Sequence, residues 1–162
     1  GKTAVLTGAG SGFGLECARI GAKLGMNLVL VDVQQDALDK AAAEMTAQGV
    51  QILARKVDVS NAQAMEQLAA DVKARFGAPH FVFNNAGVAV TSPFEQADVA
   101  RHHQVVDVNL KGVINGCHAA HALLRGTPGS RVINMCSASA LYGQPELASY
   151  SATKAAVRAP GP

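Results

Sequence analysis

The 162-residue chain carries a formal net charge of +2, with 49% hydrophobic, 16% charged and 4% aromatic residues. That is roughly one domain, able to bury about two-thirds of its unfolded surface, and the composition excludes a disordered chain and suits a buried parallel α/β sheet better than a β-sandwich. No lysine or arginine run offers a nucleic-acid surface, no apolar run reaches a membrane span, and the N-terminus lacks a signal-peptide layout, so neither nucleic acid nor membrane is expected as a partner.

The elements follow in chain order. Thr3-Ala4-Val5-Leu6 reads as a buried strand, running into Thr7-Gly8-Ala9-Gly10-Ser11-Gly12-Phe13-Gly14. A helix starts at Phe13, with Leu15, Ala18, Ile20, Ala22 and Leu24 assigned to its inner face, and ends at Gly25. Asn27 to Val31 is a second buried strand that stops at Asp32, and Gln34 to Gln48 is a helix with Leu38 and Met45 inside, closed by Gly49. A third strand spans Val50 to Val59. Ser60 to Gln63 fits a capping box with Ser60 as N-cap, opening a helix to about Phe76 that Gly77-Ala78-Pro79 breaks.

His80 to Phe83 is the fourth strand, leading into Asn84-Asn85-Ala86-Gly87, and a looser segment to about Val99 precedes a long helical region up to Leu124. Gly126-Thr127-Pro128-Gly129 marks a turn before a fifth strand, Arg131 to Met135. The last helix begins near Ala148 or Ser149 and is broken at Pro160. This alternation predicts a doubly wound, Rossmann-like parallel sheet with helices on both faces, in one domain over residues 1–162.

A strand, a glycine turn and a helix start make a socket for an anion. Glycines let the backbone turn sharply and approach a ligand, and the helix N-terminus offers unpaired N–H groups and a positive dipole end. Gly8, Ser11, Gly12, Phe13 and Gly14 form that socket. Such a turn also arises from tight packing alone; the discriminating residue is Asp32, an acid at the end of the next strand, placed to accept from both hydroxyls of an adenosine ribose and to repel a 2′-phosphate. Val33 follows it, and no arginine or lysine is there to welcome that phosphate, so the cofactor is expected to be NAD in preference to NADP.

The glycine spacing, Gly8, then Gly12, then Gly14 after one residue, resembles that of the short-chain dehydrogenase/reductase family. The resemblance continues through Asp58-Val59, Asn84-Asn85-Ala86-Gly87, Asn109, Ser137 and Tyr150-Ser151-Ala152-Thr153-Lys154, covering Thr7 to Lys154. It implies that Asp58 and Val59 contact the adenine and that Asn85, Ala86 and Gly87 lie along the cofactor. It also implies that Lys154 holds the nicotinamide ribose and that Asn109 is a catalytic residue in a distorted helix, positioning a water that links Lys154 to solvent.

The residue types support the same chemistry. Tyr150 and Lys154 are four apart, on one helical face. A phenol of pKa about 10 is a poor base at neutral pH, and a nearby ammonium favours its phenolate. Tyr150 is thereby suited to take the proton of an alcohol while hydride leaves carbon, or to return it to a carbonyl, with Ser137 bonded to the reacting oxygen. Tyrosine and lysine four apart are usually structural, and only their co-occurrence with Ser137 and the cofactor residues reverses that reading.

Other groups are read as bland. Cys136 is packing rather than a thiol nucleophile, since no base adjoins it in sequence. His118 and His121 beside Cys117 lack further ligands at metal spacing, so no metal is expected. His102 and His103 suggest nothing specific. Tyr142 lies in the loop where the family lines its substrate pocket. The odd number of widely spaced cysteines reads as free thiols in a reducing, cytoplasmic compartment.

Family members run to about 250 residues, so the chain is expected to be C-terminally truncated or to lack a segment between Ala156 and Pro160. Its last strands and substrate loop would then be absent and the fifth strand an open edge. The expected partner is a small alcohol or ketone, with association into a homo-oligomer, dimer or tetramer. The competing reading is an NAD-binding but inactive structural or sensing subunit, against which Asn109, Ser137, Tyr150 and Lys154 speak.

Overall fold

The computed structural model describes residues 1–158; the ending 159–162, and with it the helix break at Pro160, lies outside the described residues. Five strands form one all-parallel sheet in the order β3-β2-β1-β4-β5: β1 (Thr3–Thr7), β2 (Asn27–Asp32), β3 (Ile52–Lys56), β4 (Phe81–Asn84) and β5 (Arg131–Asn134). Helices α1 (Gly12–Lys23), α2 (Gln35–Thr46) and α3 (Ala62–Phe76) connect the first four strands. Between β4 and β5 run α4 (Val99–Val106), a π-helical turn (Asp107–Lys111) and α5 (Gly112–Leu124); α6 (Ala148–Arg158) follows β5. The sheet is the doubly wound one that the element alternation predicts, and among the described residues no helix is long and apolar enough to cross a membrane.

Strand residues alternate faces, and the two faces build two cores. Ala4, Leu6, Leu28 and Leu30 meet Ala18 and Ala22 of α1 and Leu38 and Met45 of α2. Val5, Val29, Val31 and Val82 meet Met65, Leu68 and Val72 of α3 and Ala120 and Leu124 of α5. β1 pairs with β2 on one side and β4 on the other, and the chain leaves β1 and β4 toward opposite faces. A crevice therefore opens between the loops after these two strands, the usual place for a ligand in such sheets.

Three local expectations need correction. Ile20 and Leu24 are not on the inner face of α1: they are 58% and 71% exposed, and the buried positions are Gly14, Ala18, Gly21 and Ala22. Small residues win because α1 sits close to the sheet; a β-carbon on Gly21 would stand 2.8 Å from the Leu28 side chain. β3 ends at Lys56 rather than Val59, because the chain turns there, with Ser60 N–H bonded to Asp58 Oδ1 at 2.9 Å. The N-cap of α3 is Asn61, whose side chain accepts from Ala64 N–H at 3.0 Å, while Ser60 spends its hydroxyl on Asp58. β5 pairs only with β4 among the described residues, and Val132 and Ile133 are exposed along it.

Candidate active site

The glycine turn leaves β1 with Gly8 at φ 66° and enters α1 through Gly12 at φ 52°, both in the left-handed region. Gly14 packs against the turn so closely that a β-carbon would stand 2.8 Å from Asn85 Nδ2 and nearer still to the Gly8 carbonyl. Ser11 caps α1 in extended conformation without a side-chain hydrogen bond, so the helix's first-turn amides are not met by a cap side chain. An open hollow of about 490 Å³ lies over Gly10, Ser11, Gly12, Phe13 and Arg19. Ser11, Gly12 and Phe13 are exposed to it, and the arrangement fits a diphosphate on the α1 N-terminus.

Asp32 ends β2 beside this turn. Its Oδ2 accepts from Gly10 N–H at 2.9 Å and its Oδ1 from Gln34 N–H at 3.0 Å, so backbone amides fix the carboxylate while each oxygen keeps a lone pair for a ribose hydroxyl. Val33, 51% exposed, follows it with no charge of its own. After β3, Asp58 is exposed, its Oδ1 tied to Ser60, and Val59 is buried beneath.

Thr7 and Asn85 build the opposite lip. Thr7 Oγ1 accepts from the backbone N–H of Asn85 and of Ala86, each at 3.0 Å, and donates to Phe83 O at 3.3 Å. Asn85 turns its side chain inward, donating through Nδ2 to Thr7 O at 2.9 Å, so this residue offers the crevice its backbone rather than its amide. Gly87 follows, exposed, where a β-carbon would lie 3.3 Å from Asn109 Oδ1 and 3.8 Å from Lys154 Nζ. The loop after β4 thus reaches the residues expected to carry the chemistry.

Asn109 is fully buried inside the π-helical turn, as the expected helix distortion requires. Its Oδ1 accepts from Val88 N–H at 2.8 Å and its Nδ2 donates to Val88 O at 2.9 Å, the pattern of a strand partner supplied by a side chain. Nδ2 also reaches Thr153 Oγ1 at 3.3 Å. The Asn109 amide is therefore engaged with the protein itself.

Ser137 follows β5 and caps a short 3-10 turn, Ala138–Ala140, accepting from Ser139 N–H at 3.2 Å. Its hydroxyl also meets Ser139 Oγ at 3.3 Å, and Ser139 donates to Gln144 Oε1 at 2.7 Å. Gln144 to Leu147 then closes a turn, Leu147 N–H donating to Gln144 O at 3.2 Å, with Glu146 at φ 64°. The turn is pinned to the loop after β4 by Ser92 N–H on Glu146 O at 3.2 Å.

Lys154 is 3% exposed, and its Nζ donates to Met135 O at 2.8 Å and stands 5.7 Å from the centre of the Tyr150 ring. Burial holds its pKa below the ordinary lysine value, with the Cys136 thiol acting in the opposite sense. Tyr150 is half-buried on the same turn of α6. The structure therefore brings Tyr150, Lys154, Asn109 and Gly87 into one neighbourhood, with Ser137 on the loop between β5 and α6. Cys136 donates toward Lys154 O at 3.4 Å, a packing contact.

Sequence reading assigns no role to Thr7 or Thr153, which stand inside the glycine-turn and tyrosine–lysine stretches and carry hydrogen bonds on both sides of the crevice. His102 also has more to do than expected: it stacks on Phe94, ring centres 4.6 Å apart, and its Nδ1 lies 3.0 Å from Ser149 Oγ. His118 and His121 are exposed on α5, while Cys117 faces inward toward Asn134 Oδ1 at 3.5 Å.

Comparison with known proteins bears on this arrangement. A family model described as short chain dehydrogenase matches residues 2–159. Over 153 residues the chain is 38% identical to the probable oxidoreductase EphD of Mycobacterium tuberculosis, covering 93% of this chain and 26% of that one. A short chain dehydrogenase/reductase of Burkholderia phymatum in complex with NAD superposes with a TM-score of 0.93 at 37% identity, over 97% of this chain and 56% of that one. The alcohol dehydrogenase of the archaeon Thermococcus sibiricus, complexed with 5-hydroxy-NADP, gives 0.92 at 34% identity, over 98% and 67%. The chain thus spans about a quarter to two-thirds of the length of these relatives.

Proposed function

The chain belongs to the short chain dehydrogenase family, and from that premise we propose that it transfers hydride between NAD and an alcohol or carbonyl compound. The observation that carries this reading is Lys154: a buried ammonium on Met135 O, beside Gly87 and 5.7 Å from the centre of the Tyr150 ring. Relatives are solved with NAD and with an NADP analogue, and the preference for NAD rests on Asp32.

Gly8, Ser11, Gly12, Phe13 and Gly14 would hold the diphosphate, Asp32 and Val33 the adenosine ribose, and Asp58 and Val59 the adenine. Asn85, Ala86, Gly87, Tyr150 and Lys154 would line the nicotinamide half. When bound, the nicotinamide supplies the carbon that accepts or returns hydride. The chain's own part is proton handling. Tyr150 takes the alcohol proton at its phenol oxygen, with the Lys154 ammonium beside it; in the reverse direction the phenol returns that proton to the carbonyl oxygen. Ser137, its oxygen held by Ser139 N–H, donates to the same substrate oxygen. Asn109 belongs to the set through the backbone it holds at Val88 and through its place beside Gly87 and Thr153.

We read residues 1–162 as one dinucleotide-binding and catalytic domain, supported by the single sheet shared by both cores. The exposed Val99 of α4 and Ile114 of α5 support self-association, and three free cysteines support a reducing, cytoplasmic setting. The deciding experiment is Tyr150→Phe with a responsive alcohol. Turnover should fall about 10²- to 10⁴-fold while NADH still binds; unchanged turnover overturns the mechanism.

A further inference from the structure

Thr153 lies between the two residues assigned to proton transfer, yet its side chain is 2% exposed and faces the protein interior. Its hydroxyl donates to the carbonyl oxygen of Tyr150 at 2.8 Å and accepts from Asn109 Nδ2 at 3.3 Å. Both hydrogen-bonding roles of the hydroxyl are filled. Through Asn109, whose amide also grips both backbone groups of Val88, one relay joins the loop after β4, the π-helical turn and the first turn of α6.

A threonine hydroxyl bonded to a carbonyl in the preceding turn competes with regular helix bonding and sets the local path of the helix. Here the same oxygen is anchored from outside the helix, by a residue 44 positions away in sequence. The turn it sets carries Tyr150 and Lys154. Their mutual placement sets the geometry of the proposed proton transfer, and small misplacements of such pairs are costly in rate.

We propose that Thr153 is a positioning residue: its hydroxyl couples Asn109 to the first turn of α6 and so fixes where the Tyr150 phenol stands relative to Lys154 Nζ. The inference rests on the reading of Tyr150 as acid and base. A merely structural threonine would affect thermal stability alone; this one also affects the surroundings of the Tyr150 ring and kcat, with KM little changed.

The chain has two tyrosines and no tryptophan, so in a Tyr142→Phe background the tyrosine band of the near-ultraviolet circular dichroism reports Tyr150 alone. Thr153→Val in that background should change the tyrosine band of the near-ultraviolet circular dichroism, since looser placement alters the surroundings of the Tyr150 ring. It should lower kcat about tenfold, with KM within about twofold. Thr153→Ser, which keeps the hydroxyl, should restore both. If Thr153→Val does not fold, Thr153→Ala carries the same comparison. An unchanged tyrosine band or an unchanged kcat in the hydroxyl-free variant overturns the proposal, as does a serine variant as defective as valine. The dichroism needs no turnover, so it judges Thr153 even if Tyr150→Phe proves active and the acid–base reading fails.

Discussion

The backbone of Gly14 lies directly against the carbonyl of Gly8: a β-carbon on Gly14 would stand 2.1 Å from that oxygen. Unlike a clash with a flexible side chain, this one cannot be relieved without moving the glycine turn or α1. Gly14→Ala should therefore destabilise the protein by about 3 kcal/mol, the upper part of the overpacking range. It should also weaken NADH binding, because the displaced turn is the proposed diphosphate socket. Thermal unfolding and NADH fluorescence titration check the two effects separately.

Asp32 is held by Gly10 N–H and Gln34 N–H, so its carboxylate is already aimed when a nucleotide arrives. Asp32→Ala should weaken NADH about tenfold, the loss of roughly one charge-assisted hydrogen bond, and weaken NADPH less. Paired titrations of the two reduced cofactors give the ratio. Tighter binding of NADPH than NADH by the unaltered protein would refute the assignment of cofactor preference to this residue.

Burial lowers the Lys154 pKa from its ordinary value of 10.5. The unfolded chain therefore holds this proton to higher pH than the folded one, so stability rises with pH between the folded value and 10.5. Below that window the buried charge is a standing cost. Lys154→Met should consequently lose turnover yet resist denaturant better than the unaltered protein at neutral pH, and the gain should shrink as pH approaches 10.5. A gain independent of pH would show that burial of the charge is not its source.

Glu146 sits at φ 64° in the third position of the turn Gln144–Leu147, where glycine is the natural occupant. Glu146→Gly removes about 1–3 kcal/mol of backbone strain and adds about 0.4–1 kcal/mol of unfolded-state entropy. The expected net gain is about 1 kcal/mol, or about 3 °C in Tm.

The parts of this fold that were legible in sequence are those written in local pattern. β1 and β2 show as apolar runs closed by Gly8 and by Asp32, and the residues of the nucleotide crevice come in order along the chain. The illegible parts depend on distance. Ile20 and Leu24 look like core residues, but the gap between α1 and the sheet admits only glycine and alanine, and nothing within the helix reveals that gap. Val59 is buried without being in a strand, so apolar character alone extended β3 too far. Thr7 bonds to Asn85 and Ala86, 78 and 79 residues away, and Thr153 to Asn109, 44 residues away, and no local window contains both partners.

The π-helical turn at Asp107–Lys111 takes up one residue more than an α-helix would, which sets α4 and α5 out of phase by about 100°. One continuous helical run thereby presents its first half to α6 and its second half to α3 and β4. Removing any one residue from this stretch would merge the two registers and rotate Val113, Gly116 and Ala120 away from the sheet, even with Asn109 retained. Chain length, as much as the identity of Asn109, is under constraint here: no deletion within the turn should be tolerated.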